Sequence, residues 1–232
     1  MRPASCVIAP LVRAILHALC RIDAAELEKL PRQGPFILVT NHINFLEAPL
    51  LYSQLYPRDI AGFAKSETWQ NPFLGLLATT WECVPVNRDV NDMSSMRLAL
   101  AALADGKILN IMPEGTRSRD GRLGDGHPGI VAIAQRSGAP IVPVAHYGGE
   151  CFWGNLRKGR RTRVSVRVGE AFRLRAPESG RARKWRREAL EEIMVSIARL
   201  LPPEYRGAYA GRDGGFRHLV FGDEAVATFR PE

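Results

Sequence analysis

Short apolar runs alternate with segments of helical periodicity along most of this chain. Five runs, each bounded by glycine, proline or polar residues, predict buried strands: residues 35–40, 59–64, 83–86, 107–112 and 140–145. The segments between them predict helices, among them residues 48–56 and two that begin near Asn71 and at Asp92. Residues 164–169 alternate apolar and polar positions, which predicts an exposed or edge strand, and residues 181–201 predict a closing helix.

This order of elements predicts an α/β fold: a single layered domain whose central sheet is largely parallel or mixed and is flanked by helices. We expect residues 31–201 to form that domain. Residues 1–30 predict an amphipathic helical segment, which is too short and too interrupted by polar residues to span a membrane. Its apolar spacing suits either a core helix or a helix that lies in the membrane interface. Residues 202–232 are rich in glycine and polar residues, and we expect a C-terminal extension, either a hairpin or a loose tail.

The composition is that of a globular protein with a basic surface. The chain has 232 residues, a net charge of +8 and an isoelectric point near 9.7, so it attracts anions such as nucleic acid, anionic lipid or phosphorylated substrates. The sequence contains no recognised nucleic-acid-binding motif and no basic face rich in aromatic residues. Its four cysteines are scattered, without metal-ligand spacing or a disulfide framework, which predicts a reducing, cytosolic setting.

A first candidate for chemistry follows the strand at residues 35–40. There the chain reads Asn-His-Ile-Asn-Phe-Leu-Glu, which places His42 five positions before Glu47. A neutral imidazole is an effective general base near pH 7 when a carboxylate holds its second nitrogen. The same spacing also suits a histidine that caps the strand and a solvated glutamate that is stabilised by the helix dipole.

A second candidate follows the strand at residues 107–112, about 70 positions later. Residues 112–119 read Met-Pro-Glu-Gly-Thr-Arg-Ser-Arg. Gly115 allows close approach of the backbone to a ligand, Thr116 offers a hydroxyl, and Arg117 can make charge-assisted contacts to phosphate oxygens. We expect Glu114 to orient an arginine or a substrate hydroxyl. A turn and a solvated basic loop remain the alternative interpretation of this segment.

Both motifs are predicted at the carboxyl ends of strands, and so is Arg88 after the strand at residues 83–86. Ligands of open α/β sheets gather outside the carboxyl ends of the strands. A base that activates a hydroxyl beside a phosphate cradle is therefore the site that the sequence itself predicts.

At this point the sequence resembles the glycerolipid acyltransferase family. That family carries an Asn-His-x4-Asp motif, an apolar motif that ends in arginine, a Phe-Pro-Glu-Gly-Thr-Arg-Ser motif and an apolar Val-Pro-Val motif. The matching positions occur here in the same order, at residues 41–47, 84–88, 112–118 and 141–144. Glu47 departs from the pattern, because the family usually has aspartate at that position.

The resemblance implies an O-acyltransferase that moves a fatty acyl group from acyl-CoA or acylated carrier protein to a lysophospholipid such as 1-acylglycerol 3-phosphate. It implies His42 and Glu47 as catalytic residues, with no metal, redox cofactor or covalent acyl-enzyme. The residues that it implies for binding the acceptor's phosphate or headgroup are Arg88, Glu114, Gly115, Thr116 and Arg117.

The implied acceptor is amphiphilic, so we expect a peripheral protein at the cytoplasmic face of the membrane. Its expected partners are an anionic membrane surface, the thioester donor and the lysophospholipid, with no nucleic acid. An interfacial role for the N-terminal helix is then favoured, and the basic run at residues 157–163 suits anionic lipid, an acidic carrier protein or CoA phosphates. The alternative function is a catalytically weak member of the same fold that binds lipid or acyl carrier, because Glu47 replaces aspartate.

Overall fold

The computed structural model describes residues 4–86, 93–118, 120–176, 182–212 and 214–222. Within these ranges the α-helices are α1 (Ser5–Leu19), α2 (Glu47–Leu55), α3 (Pro72–Thr80), α4 (Met93–Ala104), α5 (Gly129–Ser137), α6 (Phe152–Arg157) and α7 (Ala182–Leu200). The strands are β1 (Cys20–Asp23), β2 (Phe36–Thr40), β3 (Ile60–Lys65), β4 (Val84–Val86), β5 (Ile108–Ile111), β6 (Ile141–Tyr147), β7 (Thr162–Val168), β8 (Phe172–Leu174) and β9 (Leu219–Phe221). Asp92 and Arg181, the predicted first residues of two helices, lie outside the described residues.

The strands form one mixed sheet whose main order is β1-β7-β6-β2-β5-β3-β4. Parallel pairs join β2 to both β5 and β6, β3 to both β4 and β5, and β1 to β7. The antiparallel pairs are β6 with β7, β6 with β8, and β8 with β9. The predicted α/β fold with a largely parallel or mixed sheet is confirmed.

Helices cover both faces of this sheet, as the alternate side chains of strand β2 show. Ile37 and Val39 belong to a hydrophobic cluster that includes residues of α4, α5 and α7. Their neighbours Phe36 and Leu38 belong to a second cluster, with residues of α1 and α2. Successive side chains of a strand point to opposite faces, so burial of the whole strand requires cover on both sides.

Strand β7 lies inside the sheet, between β1 and β6, so the predicted edge position is wrong, although its buried residues do alternate with more exposed ones. The reason is β1, a four-residue strand that sequence patterning did not reveal and that pairs with β7 about 140 residues later. The guanidinium of Arg161 adds to this junction by donating to the carbonyl oxygens of His17, at 2.5 Å, and Cys20, at 2.7 Å.

The described end of the chain also joins the sheet. Strand β9 pairs with β8, and the Glu192 carboxylate on α7 accepts hydrogen bonds from the backbone N–H groups of Arg217, at 2.9 Å, and His218, at 2.8 Å. Residues 214–222 therefore form neither of the predicted structures: β9 pairs with β8 rather than with another strand of this segment, and the segment is not a loose tail. The domain boundaries at residues 30 and 201 stay predictions.

Helix α1 has two apolar sides. Leu16 is buried in the cluster with α2, whereas Val7, Leu11 and Ile15 are 71%, 56% and 49% exposed and recur every four residues. The helix therefore packs on the domain and also presents an apolar stripe to its surroundings. None of the helices within the described ranges is long and apolar enough to cross a membrane.

Candidate active site

The loops after β2 and β5 meet at one edge of the sheet. These strands are parallel neighbours, with Val39 opposite Ile111, so the chain leaves both at the same carboxyl end. Two hydrogen bonds then join the loops: the backbone N–H of Ser118 donates to the carbonyl oxygen of His42 at 2.7 Å, and the backbone N–H of His42 donates to Oε1 of Glu114 at 2.7 Å. The two sequence motifs thus form one site.

His42 and Glu47 contact each other directly. Nδ1 of the imidazole lies 2.8 Å from Oε2 of Glu47, which is the first residue of α2 and is only 4% exposed. The other carboxylate oxygen accepts backbone N–H groups from Ile43, at 3.1 Å, and from Asn44. Such contacts fix the carboxylate, and the carboxylate favours the imidazole tautomer that leaves Nε2 free to accept a proton.

The turn between these residues is held by its own polar side chain. Oδ1 of Asn44 accepts the backbone N–H of Leu46 at 2.8 Å, and Nδ2 of Asn44 donates to the carbonyl oxygen of Gly149 at 2.6 Å. An asparagine that bonds to the backbone two residues ahead stabilises a tight turn. This turn lets the glutamate, with its additional methylene, point back at His42.

Glu114 is buried and holds backbone groups. In addition to the His42 N–H on Oε1, its Oε2 accepts the backbone N–H of Gly124 at 2.8 Å. Burial raises the pKa of Glu114, and the hydrogen bonds from Gly124 and His42 oppose that rise. Its contacts within the described residues therefore stabilise the two motif loops, while its part in substrate binding stays a prediction.

A pH-dependent stability difference follows from this burial. A group whose pKa is raised by folding adds stability below its unfolded-state pKa and loses that contribution as pH rises through the folded-state pKa. We compare the free energy of unfolding of the wild type with that of Glu114→Gln. The difference, wild type minus variant, should fall as pH rises above the ordinary glutamate range, by at most about 1.4 kcal/mol per pH unit.

Urea unfolding of both proteins across a pH series measures this difference. Glu28→Gln is the matched control at an exposed glutamate, and it should change stability by no more than about 0.5 kcal/mol. A difference between wild type and Glu114→Gln that is constant or grows with pH would contradict the burial effect.

The rest of the second motif lies on an exposed loop. Gly115 has φ +63°, which favours glycine, and a Cβ there would lie 3.0 Å from Cδ2 of His127. Thr116 and Arg117 are exposed on the segment that continues to Ser118, next to His42. Arg88 and Arg119 lie outside the described residues. Of the three arginines in these motifs, the structure thus describes Arg117.

A large cavity opens beside His42 and Glu47. Its volume is about 520 Å³, within the usual range for small-molecule sites. The lining is mainly apolar and comes from the turn after β2 and from α2, β3, β5, α4 and α5. Its apolar side chains include Phe45, Phe63, Met96, Ile111, Ile130 and Ile133. Sequence patterns did not predict the cavity, because these side chains are far apart along the chain. Among the described residues, no three His, Cys, Asp or Glu side chains could together hold a metal ion.

Two further polar residues at this edge have contacts that the sequence did not predict: Asn41, which belongs to the first motif without an assigned role, and His146, which lies outside the motifs. The Asn41 side chain accepts the backbone N–H of His146 at 2.9 Å and donates to the His146 carbonyl oxygen at 2.8 Å. These bonds join the end of β2 to the carboxyl end of β6. The strand-end rule that singled out His42 applies equally to His146, so that rule was the available signal.

Comparisons with known proteins agree with this architecture. The model of the acyltransferase family matches residues 21–147. The 1-acyl-sn-glycerol-3-phosphate acyltransferase of Bacillus subtilis is 30% identical over 160 residues, which cover 68% of this chain and 77% of that protein. The Pseudomonas aeruginosa protein of the same name is 26% identical over 195 residues, or 79% of this chain and 74% of that protein. The crystal structure of the 1-acyl-sn-glycerophosphate acyltransferase from Thermotoga maritima superposes on this chain with a TM-score of 0.60 and 24% sequence identity. The superposition covers 80% of this chain and 76% of that chain, and it supports the fold.

Proposed function

This chain belongs to the acyltransferase family, and from that premise we propose that it acylates the free hydroxyl of a lysophospholipid such as 1-acylglycerol 3-phosphate during phospholipid synthesis. The observation that carries this proposal is the His42–Glu47 contact at 2.8 Å beside a large apolar cavity. A base and a site for a hydrocarbon chain are the two things that acyl transfer to a lipid hydroxyl requires.

In the proposed reaction, Nε2 of His42 takes the proton of the acceptor hydroxyl as its oxygen attacks the thioester carbonyl. The charge of Glu47 stabilises the resulting imidazolium, as the carboxylate does in a serine protease triad. The tetrahedral intermediate then collapses with cleavage of the carbon–sulfur bond. The imidazolium returns the proton to the leaving thiolate, so the products are the ester and the free thiol.

The cavity suits the fatty acyl chain, and the exposed loop suits the phosphate of the acceptor. The apolar lining would hold a fatty acyl chain, and burial of each methylene contributes about 0.8 kcal/mol. Thr116 and Arg117 would receive the acceptor's phosphate, together with Gly115 and, by family resemblance, Arg88. Glu114 would act as a positioning residue, because it accepts the backbone N–H of the base.

A peripheral position at the cytoplasmic face of a membrane is part of this proposal, and the surface supports contact with a bilayer. The apolar stripe of α1 suits the hydrocarbon boundary of a bilayer, and Trp153, which is 56% exposed, stacks on Phe45 beside the cavity. Exposed basic side chains lie at the end of α6 and directly after it, in the run at residues 157–163. Each contributes about 1 kcal/mol of attraction near an anionic surface, and the same charges suit CoA phosphates or an acidic carrier protein.

A screen of the purified protein tests the function. Acyl-CoA and acylated carrier protein are each offered with 1-acylglycerol 3-phosphate, glycerol 3-phosphate and other lysophospholipids, and esterified product is measured. We expect turnover of 1-acylglycerol 3-phosphate, faster in anionic than in neutral vesicles. A lack of product with every pair would overturn the proposed activity, and equal rates in both vesicles would overturn the role of anionic lipid.

A further inference from the structure

His146 lies next to the candidate base pair without belonging to any of the four motifs. It is the sixth residue of β6 and is only 3% exposed. Its main chain is held in both directions by the Asn41 side chain, immediately before His42 in the sequence. The position of its main chain relative to the site is therefore fixed by the sheet and by Asn41.

One ring nitrogen of His146 lies near the carboxylate of the pair. Nδ1 lies 3.9 Å from Oε1 of Glu47, the oxygen that His42 does not contact, whereas Nε2 is buried and has no hydrogen-bond partner among the described residues. Nδ1 and Oε1 are too far apart for a direct hydrogen bond. Both groups are buried, however, and in a buried environment an N–H dipole directed at a carboxylate still interacts favourably over this distance.

Burial lowers the pKa of His146 and so favours the neutral ring. The charged groups that act on it are Glu47 and Glu150, which raise its pKa, and His42, which lowers it when protonated. Of the two neutral tautomers, the one with the proton on Nδ1 turns the positive end of its dipole toward Glu47.

We propose that His146 is a positioning residue that holds the Glu47 carboxylate in place against His42. This proposal rests on the proposed acyl transfer. The ring stands beside Oε1, limits the space in which the carboxylate can rotate, and directs the Nδ1–H dipole at its charge. Glu47 has one more rotatable bond than the aspartate usual in the family, so it has more conformations to exclude. His146 adds to the restriction that the backbone N–H groups of Ile43 and Asn44 already place on the longer side chain.

Two substitutions separate the N–H group from the volume of the ring. His146→Phe keeps a ring but removes Nδ1, whereas the side-chain amide of His146→Asn can place an N–H close to the position of Nδ1. We expect His146→Phe to lower kcat on the order of tenfold with the acceptor KM unchanged, and His146→Asn to stay within about threefold of wild type. Equal losses in both variants, or a change confined to KM, would overturn the proposal.

The dependence on Glu47 gives a second test. In a Glu47→Asp background the shorter side chain draws the carboxylate away from His146, so adding His146→Phe should lower kcat by less than about threefold. The same loss in both backgrounds would contradict a role directed at Glu47.

A spectroscopic measurement remains informative if a variant turns over poorly. In protein labelled with 15N-histidine, the Nδ1–H proton of His42 reports its hydrogen bond to Glu47. We expect His146→Phe to shift or broaden this resonance and His146→Asn to preserve it, with His17→Phe on the exposed part of α1 as the matched control. An unchanged resonance in His146→Phe overturns the positioning role, whereas a shifted resonance in a protein that acylates no acceptor overturns only the proposed function.

Discussion

Replacement of His42 by alanine is expected to lower kcat for lysophospholipid acylation by about 10²–10⁴-fold, the range that a general base contributes. Among the described residues, His42 is the one histidine that both contacts Glu47 and lines the cavity. The acceptor hydroxyl would keep its proton without that ring. The thioester would then face a neutral alcohol, which is a weak nucleophile.

The fold should survive this substitution, because His42 contributes to the structure mainly through its main chain. Its N–H bonds to Glu114 and its carbonyl oxygen bonds to Ser118, and alanine retains both groups. Glu47 also keeps the backbone N–H groups of Ile43 and Asn44. The melting temperature of His42→Ala should therefore lie within about 4 °C of wild type.

Initial rates with 1-acylglycerol 3-phosphate and a thioester donor measure the effect. His17→Ala is the matched control, because it removes an exposed histidine of α1 that contacts Gln54 rather than the site. We expect wild-type rates in the control. If His42→Ala retained more than a tenth of the wild-type kcat, the assignment of His42 as the base would be wrong.

The parts of this structure that the sequence predicted are those with strong local patterns. The buried strands at residues 35–40 and 107–112 are continuous apolar runs, and the structure has β2 and β5 there. Since parallel neighbours end at the same edge, recognition of these strands was enough to bring His42 and Glu114 together. Local periodicity and strand direction therefore predicted the location of the site.

The parts that were missed depend on contacts between distant residues. The edge position predicted for β7 failed because β1 is only four residues long and pairs across about 140 positions. The hydrogen bonds of Glu114 to His42 and Gly124 follow from how two loops fold over each other. No spacing rule encodes such contacts, because several conformations of each loop are compatible with the same local sequence.

Glu47 is the residue for which the structure adds most to the sequence. The motif alone left open whether a glutamate could replace aspartate, since an additional methylene could misplace the carboxylate by about 1 Å and such a shift can cost on the order of a hundredfold in rate. The structure places Oε2 at 2.8 Å from Nδ1 of His42 while Oε1 accepts two backbone N–H groups. This geometry favours catalysis over the alternative of a binding protein without activity.

Glu47→Gln is accordingly expected to lower kcat by about 10²–10⁴-fold, comparable to loss of the carboxylate charge in a catalytic triad. Glutamine removes the charge that stabilises the imidazolium, and its amide N–H can donate to Nδ1, which leaves the proton on Nε2 and blocks the base. Glu47→Asp keeps the charge and restores the residue usual in the family, so we expect it to retain at least a tenth of the wild-type rate. Initial rates of the three proteins, with circular dichroism to verify folding, give the comparison. An inactive wild type beside an active Glu47→Asp variant would instead establish that the native glutamate disables the site, and the chain would then be a binding member of the family.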